Sequence, residues 1–288
     1  MSSPNPAELL AHAFDSPRHE PFDLPGTAGG ALLVHGFMGT PRDMRPLAAA
    51  LNGQGWETRG LLLPGFGREV SSLPDRRMED WAAAIRAALT DLQQRHARTL
   101  LAGHSLGGGL ALQMAAELQP DGLILLAPFW TVDIWLWRTL PVLCHFVRDI
   151  RVFSLQKLDF TDPETRRGLA AFLPGADLDD PAIQKAVLQF SLPTRLFNQV
   201  RRVGQTGHQR APEVRSKTLV LQGSQDTLVT PLLTRKLIMA LPTPPRYVEV
   251  AGEHLINEDD CPGWPMVQRE VLDLAASLLK QGSLPAAG

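Results

Sequence analysis

Three side chains, far apart along the chain, could together cleave an acyl bond. The segment Gly103-His104-Ser105-Leu106-Gly107 has the spacing G-x-S-x-G. That pattern turns a strand sharply into a helix and leaves the serine hydroxyl exposed at the turn, a nucleophile elbow. Larger side chains at the two glycines would clash across the turn. Ser105 Oγ then sits at a helix N-terminus, where backbone N–H groups favour developing negative charge. The surroundings fit, because apolar Leu100-Leu101-Ala102 precedes the motif and Leu110 to Leu118 follows with helical spacing.

A serine needs a base to become a good nucleophile. Of the 8 histidines, His12 and His19 lie in a Pro/Gly-rich leading arm, and His145 and His208 lie in a long intervening segment. His96 closes a helix, a position suited to capping carbonyls, and His104 is turned elsewhere by the elbow itself. His254 remains. It follows the last expected strand in Val250-Ala251-Gly252-Glu253-His254, at the carboxyl edge of a parallel sheet, where such folds build their sites. An orienting carboxylate should share that edge. Asp226 follows the preceding strand in Gly223-Ser224-Gln225-Asp226 and is the first choice, with Asp133, after the fourth strand, in reserve; Glu253 and Glu258 are too close to His254 in sequence to be preferred. The order Ser105, Asp226, His254 is one of the chain orders in which nucleophile, acid and base occur. An oxyanion also needs donors. The N–H of Leu106 is one, and the N–H of Phe37, in His35-Gly36-Phe37-Met38-Gly39 after the first clear strand, is the other.

The elements that must position these groups can be read from apolar runs. Ala31–Val34, Thr58–Leu63, Thr99–Ala102, Gly122–Ala127, Thr218–Leu221 and Tyr247–Val250 read as strands. Short continuous apolar runs suit strands covered on both faces. Pro41–Asn52, Met78–Gln94, Leu110–Leu118, Pro231–Leu241 and Met266–Leu279 read as helices between and after them. This alternation means βαβ units and a mostly parallel central sheet with helices on both faces. It stops between Pro128 and about Arg215. Residues 129–215 are expected to form a helical cap over the strand ends, residues 30–128 and 216–280 the core, 1–29 an arm with at most one short strand, and 281–288 a flexible tail.

These segments resemble the α/β-hydrolase superfamily, and within it the branch of bacterial carboxylesterases and monoacylglycerol lipases. The resemblance rests on His35-Gly36-Phe37-Met38-Gly39-Thr40, Pro64-Gly65-Phe66-Gly67, Gly103-His104-Ser105-Leu106-Gly107-Gly108, Gly223-Ser224-Gln225-Asp226 and Gly252-Glu253-His254, and it covers about residues 30–280. It implies the α/β-hydrolase fold and ester cleavage through a covalent acyl-serine, with no metal or cofactor. The cap is longer and richer in tryptophan than in the smallest esterases of that branch. Thioesterases, acyltransferases and C–C bond hydrolases use the same triad, and a non-catalytic binding protein on this scaffold would need a broken one. Trp130, Trp135 and Trp137, with Leu140, Val142, Leu143, Phe146 and Val147, make a dense apolar run. It reads as an acyl-binding wall, as a lid face touching lipid aggregates, or as plain packing between cap helices.

Composition excludes several other classes. The 288 residues carry 28 basic and 30 acidic side chains, a net charge of −2, against the basic surface that nucleic acid requires. With 44% hydrophobic and 20% charged residues the chain is an ordinary globular one. Cys144 and Cys261 lack metal or redox spacing and suit a reducing compartment. The N-terminal residues lack a signal-peptide pattern. The apolar stretch Phe129–Val147 contains Asp133, Arg138 and Pro141, which disqualify it as a membrane span. The expected setting is the cytoplasm. No HExxH, P-loop or post-strand GxGxxG is present.

Overall fold

The computed structural model describes residues 14–133, 135–151, 158–163, 165, 166, 169, 173 and 176–280. Strand β1 (Phe22–Leu24) lies in the leading arm, followed by β2 (Gly29–Val34), β3 (Trp56–Leu61), β4 (Thr99–His104) and β5 (Gly122–Leu126). Later in the chain come β8 (Lys217–Gly223) and β9 (Arg246–Val250), and the short β6 (Asp149–Arg151) and β7 (Ser191–Pro193) lie between β5 and β8. Seven strands form one sheet in the order β1-β3-β2-β4-β5-β8-β9. Only β1 is antiparallel, pairing Phe22 with Gly60 and Leu24 with Thr58.

Every residue of β2, β4 and β5 is buried, the signature of parallel strands covered on both faces. Alternate side chains enter opposite layers. Leu32, Val34, Leu101, Leu123 and Leu125 join one core, and Ala31, Leu33, Leu100, Ala102, Ile124 and Leu126 join the other. Helix α1 (Arg45–Asn52) gives Leu47, Ala48 and Leu51 to the second core. Helix α2 (Met78–Arg95) covers the first with Trp81, Ile85, Leu89 and Leu92, and α3 (Leu106–Leu118) adds Leu110, Leu112 and Met114. The sequence puts the start of α3 at Leu110. It starts four residues earlier, at Leu106, because the helix begins inside the elbow.

The segment between β5 and β8 opens with α4 (Trp135–Leu143). Strands β6 and β7 then pair as an antiparallel ribbon, Arg151 opposite Ser191. Helices α5 (Pro181–Gln189) and α6 (Thr194–Arg210) follow. Helix α6 buries Leu196, Val200 and Val203 in the same core as α3. Helices α7 (Pro231–Ile238) and α8 (Trp264–Lys280) complete the fold, α8 placing Val267, Val271, Ala275 and Leu278 in the second core. The His96 ring does not cap helix carbonyls: its Nε2 lies 2.7 Å from Glu57 Oε2 on the neighbouring strand β3. Among the described residues, no helix is long and apolar enough to cross a membrane.

Candidate active site

The parallel strands all end at one edge, and the loops leaving β2, β4, β5, β8 and β9 meet there. At the end of β4 the chain reverses direction within one residue. Ser105 has φ 51° and ψ −116°, a conformation disfavoured for any residue with a Cβ. The turn is held by its own backbone bonds. Ser105 N–H donates to the Leu126 carbonyl (2.9 Å), and the Ser105 carbonyl accepts from Gly108 (2.9 Å) and Phe129 (3.0 Å). No side chain fits around it. A Cβ on Gly103 would lie 2.3 Å from the Gly107 carbonyl oxygen, and one on Gly107 2.4 Å from that of Val34. The two glycines of the motif are therefore dictated by backbone-to-backbone approach.

The structure brings Ser105, His254 and Asp226 into one hydrogen-bonded chain. Ser105 Oγ lies 2.9 Å from His254 Nε2, and His254 Nδ1 lies 2.7 Å from Asp226 Oδ2. Both oxygens of Asp226 are occupied. Oδ1 accepts from the N–H groups of Leu228 and Val229, each at 2.9 Å, and Oδ2 also accepts from Gln222 Nε2 at 3.1 Å. Burial pushes the Asp226 carboxyl up, but the His254 bond and charge, the Val229 N–H and Gln222 outweigh it and hold the group below the usual carboxylate range. Asp226 is thus held in its ionised form against the His254 ring.

Two residues that sequence reasoning did not assign support this chain. Gln222, fully buried in β8, is fixed by Thr234, whose hydroxyl donates to its Oε1 at 2.6 Å. A polar residue inside the apolar run Leu219-Val220-Leu221-Gln222 was the available signal. His104, buried within the elbow, donates from Nε2 to the His254 carbonyl at 3.0 Å, and the two rings lie 5.0 Å apart. The elbow and the histidine loop are thereby joined directly.

The loop after β2 completes the arrangement. His35 donates from Nδ1 to the Gly36 carbonyl (2.8 Å) and accepts the Leu63 N–H at Nε2 (3.1 Å), which fixes its neutral tautomer. Gly39 N–H closes the turn on the Gly36 carbonyl at 3.1 Å. A Cβ on Gly36 would lie 3.2 Å from Ser105 Cβ, so the loop runs against the elbow. Among the described residues, neither the Phe37 N–H nor the Leu106 N–H has an acceptor. Two free donors beside a serine hydroxyl are what a developing oxyanion needs.

The tryptophans divide. The Trp130 indole stacks on His208 (centroids 4.4 Å, planes 18° apart), and its Nε1 donates to the Leu233 carbonyl at 2.9 Å. Trp137 packs edge-on against Phe129 (centroids 5.7 Å), whose own N–H donates to the Ser105 carbonyl. The side chain of Trp135 lies outside the described residues. Asp133 is exposed.

The buried histidines give the molecule an acid limit. Burial lowers His35 to about 4, and burial followed by the nearby His254 lowers His104 to about 3. His19 falls to about 4, again chiefly through burial. All three folded values lie below the unfolded value of about 6.5. The unfolded chain therefore takes up protons first, and stability is full above about pH 6.5 and lost as pH falls towards 4. Asp43, pushed up to about 6 by burial, and Glu258, raised by burial and then by neighbouring carboxylates, work in the opposite direction, but the three histidines outnumber them. At pH 5 each of His35 and His104 is expected to cost about 2 kcal/mol. The melting temperature should fall by several degrees between pH 7 and pH 5, and His35→Gln should flatten that slope. A slope unchanged in the variant would remove His35 from the account.

Comparison with known proteins agrees with this architecture. A thermostable monoacylglycerol lipase from Bacillus sp. strain H-257 is 38% identical over 102 residues, 35% of this chain and 40% of the lipase. A carboxylesterase from Bacillus subtilis strain 168 is 28% identical over 106 residues, 36% of this chain and 43% of the esterase. The aligned region thus spans about two fifths of each curated relative. A structure reported for the metagenome-derived lipolytic enzymes LipS and LipT superposes with a TM-score of 0.71 at 19% identity, covering 91% of this chain and 98% of that one. It shares the α/β-hydrolase fold. The family described as serine aminopeptidase, S33, matches residues 27–252, from the start of β2 through the end of β9, and the chain belongs to that family.

Proposed function

We propose that this protein is a serine hydrolase that cleaves carboxylic esters with an apolar acyl chain through an acyl-enzyme. The observation that carries the reading is the chain Ser105 Oγ, His254, Asp226 at 2.9 and 2.7 Å, flanked by the unsatisfied N–H groups of Phe37 and Leu106. In this reading His254 Nε2 takes the Ser105 proton as Oγ attacks the ester carbonyl. The carbonyl oxygen becomes an oxyanion held by the two N–H groups. Asp226 holds the imidazole through Nδ1 and stabilises the imidazolium. His254 then gives its proton to the leaving alcohol, and the acyl group remains on Ser105. A water, deprotonated by His254, releases the acid and restores the serine. Apart from the ester and one water, each step uses only groups of this chain.

The substrate class rests on the relatives' esterase and lipase descriptions and on the cap. We assign residues 129–215 to the cap and take the run from Trp130 to Val147 as the acyl wall. Trp130 anchors its start against His208, and Trp137 lies over Phe129. Val142 and Phe146 are 64% and 82% exposed, which favours a brief contact with a lipid aggregate over a further internal packing role. The free cysteines Cys144 and Cys261 accord with the cytoplasm.

The test is a panel of p-nitrophenyl esters of graded chain length, a monoacylglycerol, an acyl-CoA and an amino-acid p-nitroanilide. A buried methylene is worth about 0.8 kcal/mol, so kcat/KM should rise roughly three- to four-fold per added carbon until the pocket is full. Trp137→Ala and Trp135→Ala should flatten that profile and leave acetate ester cleavage largely intact. If every ester falls in proportion to lost folded protein, the run is packing and the acyl wall is wrong. Preference for the anilide would return the substrate to the peptidase description of the family. Preference for acyl-CoA would make it a thioesterase.

A further inference from the structure

Two separate loops deliver the reacting groups. Residues 36–43 carry the Phe37 N–H, and residues 251–258 carry His254. One side chain bridges them. Asn257 is fully buried and donates from Nδ2 to the backbone carbonyl of Asp43 at 2.7 Å. Asp43 lies in the 3₁₀ turn Pro41–Met44, which leads the first loop into α1. Its Oδ2 accepts the Thr40 N–H at 3.0 Å, and its own N–H donates to the Thr40 carbonyl at 3.1 Å. Thr40 Oγ1 is in turn hydrogen-bonded to buried His19 Nδ1 at 2.9 Å. The loop from Gly36 to Asp43 is therefore braced as a unit, and Asn257 grips it by its end. The histidine loop is held at its other side by the His104 bond to the His254 carbonyl.

A second observation bears on why an amide stands here. Asn257 Oδ1 is buried and has no partner among the described residues. A buried acceptor without a donor destabilises a fold. Stability alone would be served better by a side chain without that oxygen, so the donor on the other arm of the amide is the part with a use.

We propose that Asn257 is a positioning residue that fixes the oxyanion loop relative to His254, so that base and anion donors approach the ester as one rigid frame. The proposal rests on the ester-hydrolase reading of the Ser105 site. Asn257 touches neither Ser105 nor His254 and acts through the Asp43 carbonyl. Its loss would let the Phe37 N–H drift from the line of attack, which lowers the rate of acylation without changing how the acyl chain binds.

The experiment compares the full-length protein with Asn257→Asp, which keeps the shape and removes the Nδ2 donor, and with Asn257→Leu, which also removes the orphan oxygen. Three quantities are read: the rate of Ser105 labelling by a fluorophosphonate, kcat and KM on the best ester of the panel, and the melting temperature. Labelling rate and kcat should fall together by roughly 10- to 100-fold, the scale of a misplaced catalytic group. KM should stay within about two-fold, the pattern of an interaction made in the transition state. A folded Asn257→Asp or Asn257→Leu protein with wild-type labelling and kcat overturns the proposal, as does a loss confined to KM. Wild-type protein that is not labelled at Ser105 overturns the ester-hydrolase reading itself, and the proposal with it.

Discussion

Ser105→Ala is expected to lower ester turnover by roughly 10⁴- to 10⁶-fold, because members of a triad act as a unit and losing the nucleophile forfeits nearly all of its effect. The fold should survive the change. Only Oγ is removed, and the backbone bonds that hold the elbow, from Ser105 N–H to Leu126 and from Gly108 and Phe129 to the Ser105 carbonyl, remain. The Cβ that makes φ 51° unfavourable is still there in alanine, so no large gain in stability is expected either. The measurement is p-nitrophenyl ester turnover with a melting curve on the same sample. A folded Ser105→Ala protein with activity near wild type would falsify the acyl-serine mechanism.

Asp226→Asn is expected to lower kcat by roughly 10⁴-fold, as an amide in the acid position favours the wrong imidazole tautomer. The local bonding dictates that outcome. Leu228 and Val229 both present N–H groups to Oδ1, so an asparagine must keep its oxygen there. Its NH₂ then faces His254 Nδ1, which must become the acceptor, and the proton moves to Nε2, where it blocks removal of the Ser105 proton. The same NH₂ also confronts the Gln222 Nε2 donor at the old Oδ2 position, which adds a stability cost. Asp133→Asn, at an exposed site after β5, should change kcat little. The reverse ranking would transfer the acid role to the end of β5.

What the sequence reveals and what it hides follow from range. Strands β2, β4, β5 and β8 are legible because burial on both faces writes them as unbroken apolar runs, and the elbow is legible because its glycines answer to a local turn. Chain order and strand ends single out Asp226 and His254 among many carboxylates and histidines, and the structure brings both to Ser105. Strands β6 and β7 are not legible. Asp149-Ile150-Arg151 and Ser191-Leu192-Pro193 are too short for a period, and each makes sense only beside the other. Asn257, Gln222 and His104 escape for a related reason. Their partners lie 214, 4 and 150 positions away. For Asn257 and His104 that separation leaves no local pattern. Gln222 has a nearby partner, but the contact runs through a loop whose course the sequence does not give. The Trp130 indole, engaged by His208 and the Leu233 carbonyl, illustrates the same limit: an aromatic run announces an apolar surface without saying which rings face the substrate.

The β6–β7 ribbon has a consequence for how this architecture can vary. Because Arg151 and Ser191 are paired neighbours, the chain between them leaves and rejoins the scaffold at a single point. The entropy of closing such an excursion rises only with the logarithm of its length, about 0.6 kcal/mol for each doubling. Loop closure therefore sets little limit on the length of that stretch; packing sets the limit, because Leu169, Leu173, Leu178 and Val187 are buried in the same core as Leu106 and Leu110 of the elbow helix. The ribbon is a neck behind which chain length can change freely only where no side chain is added to that shared core or taken from it.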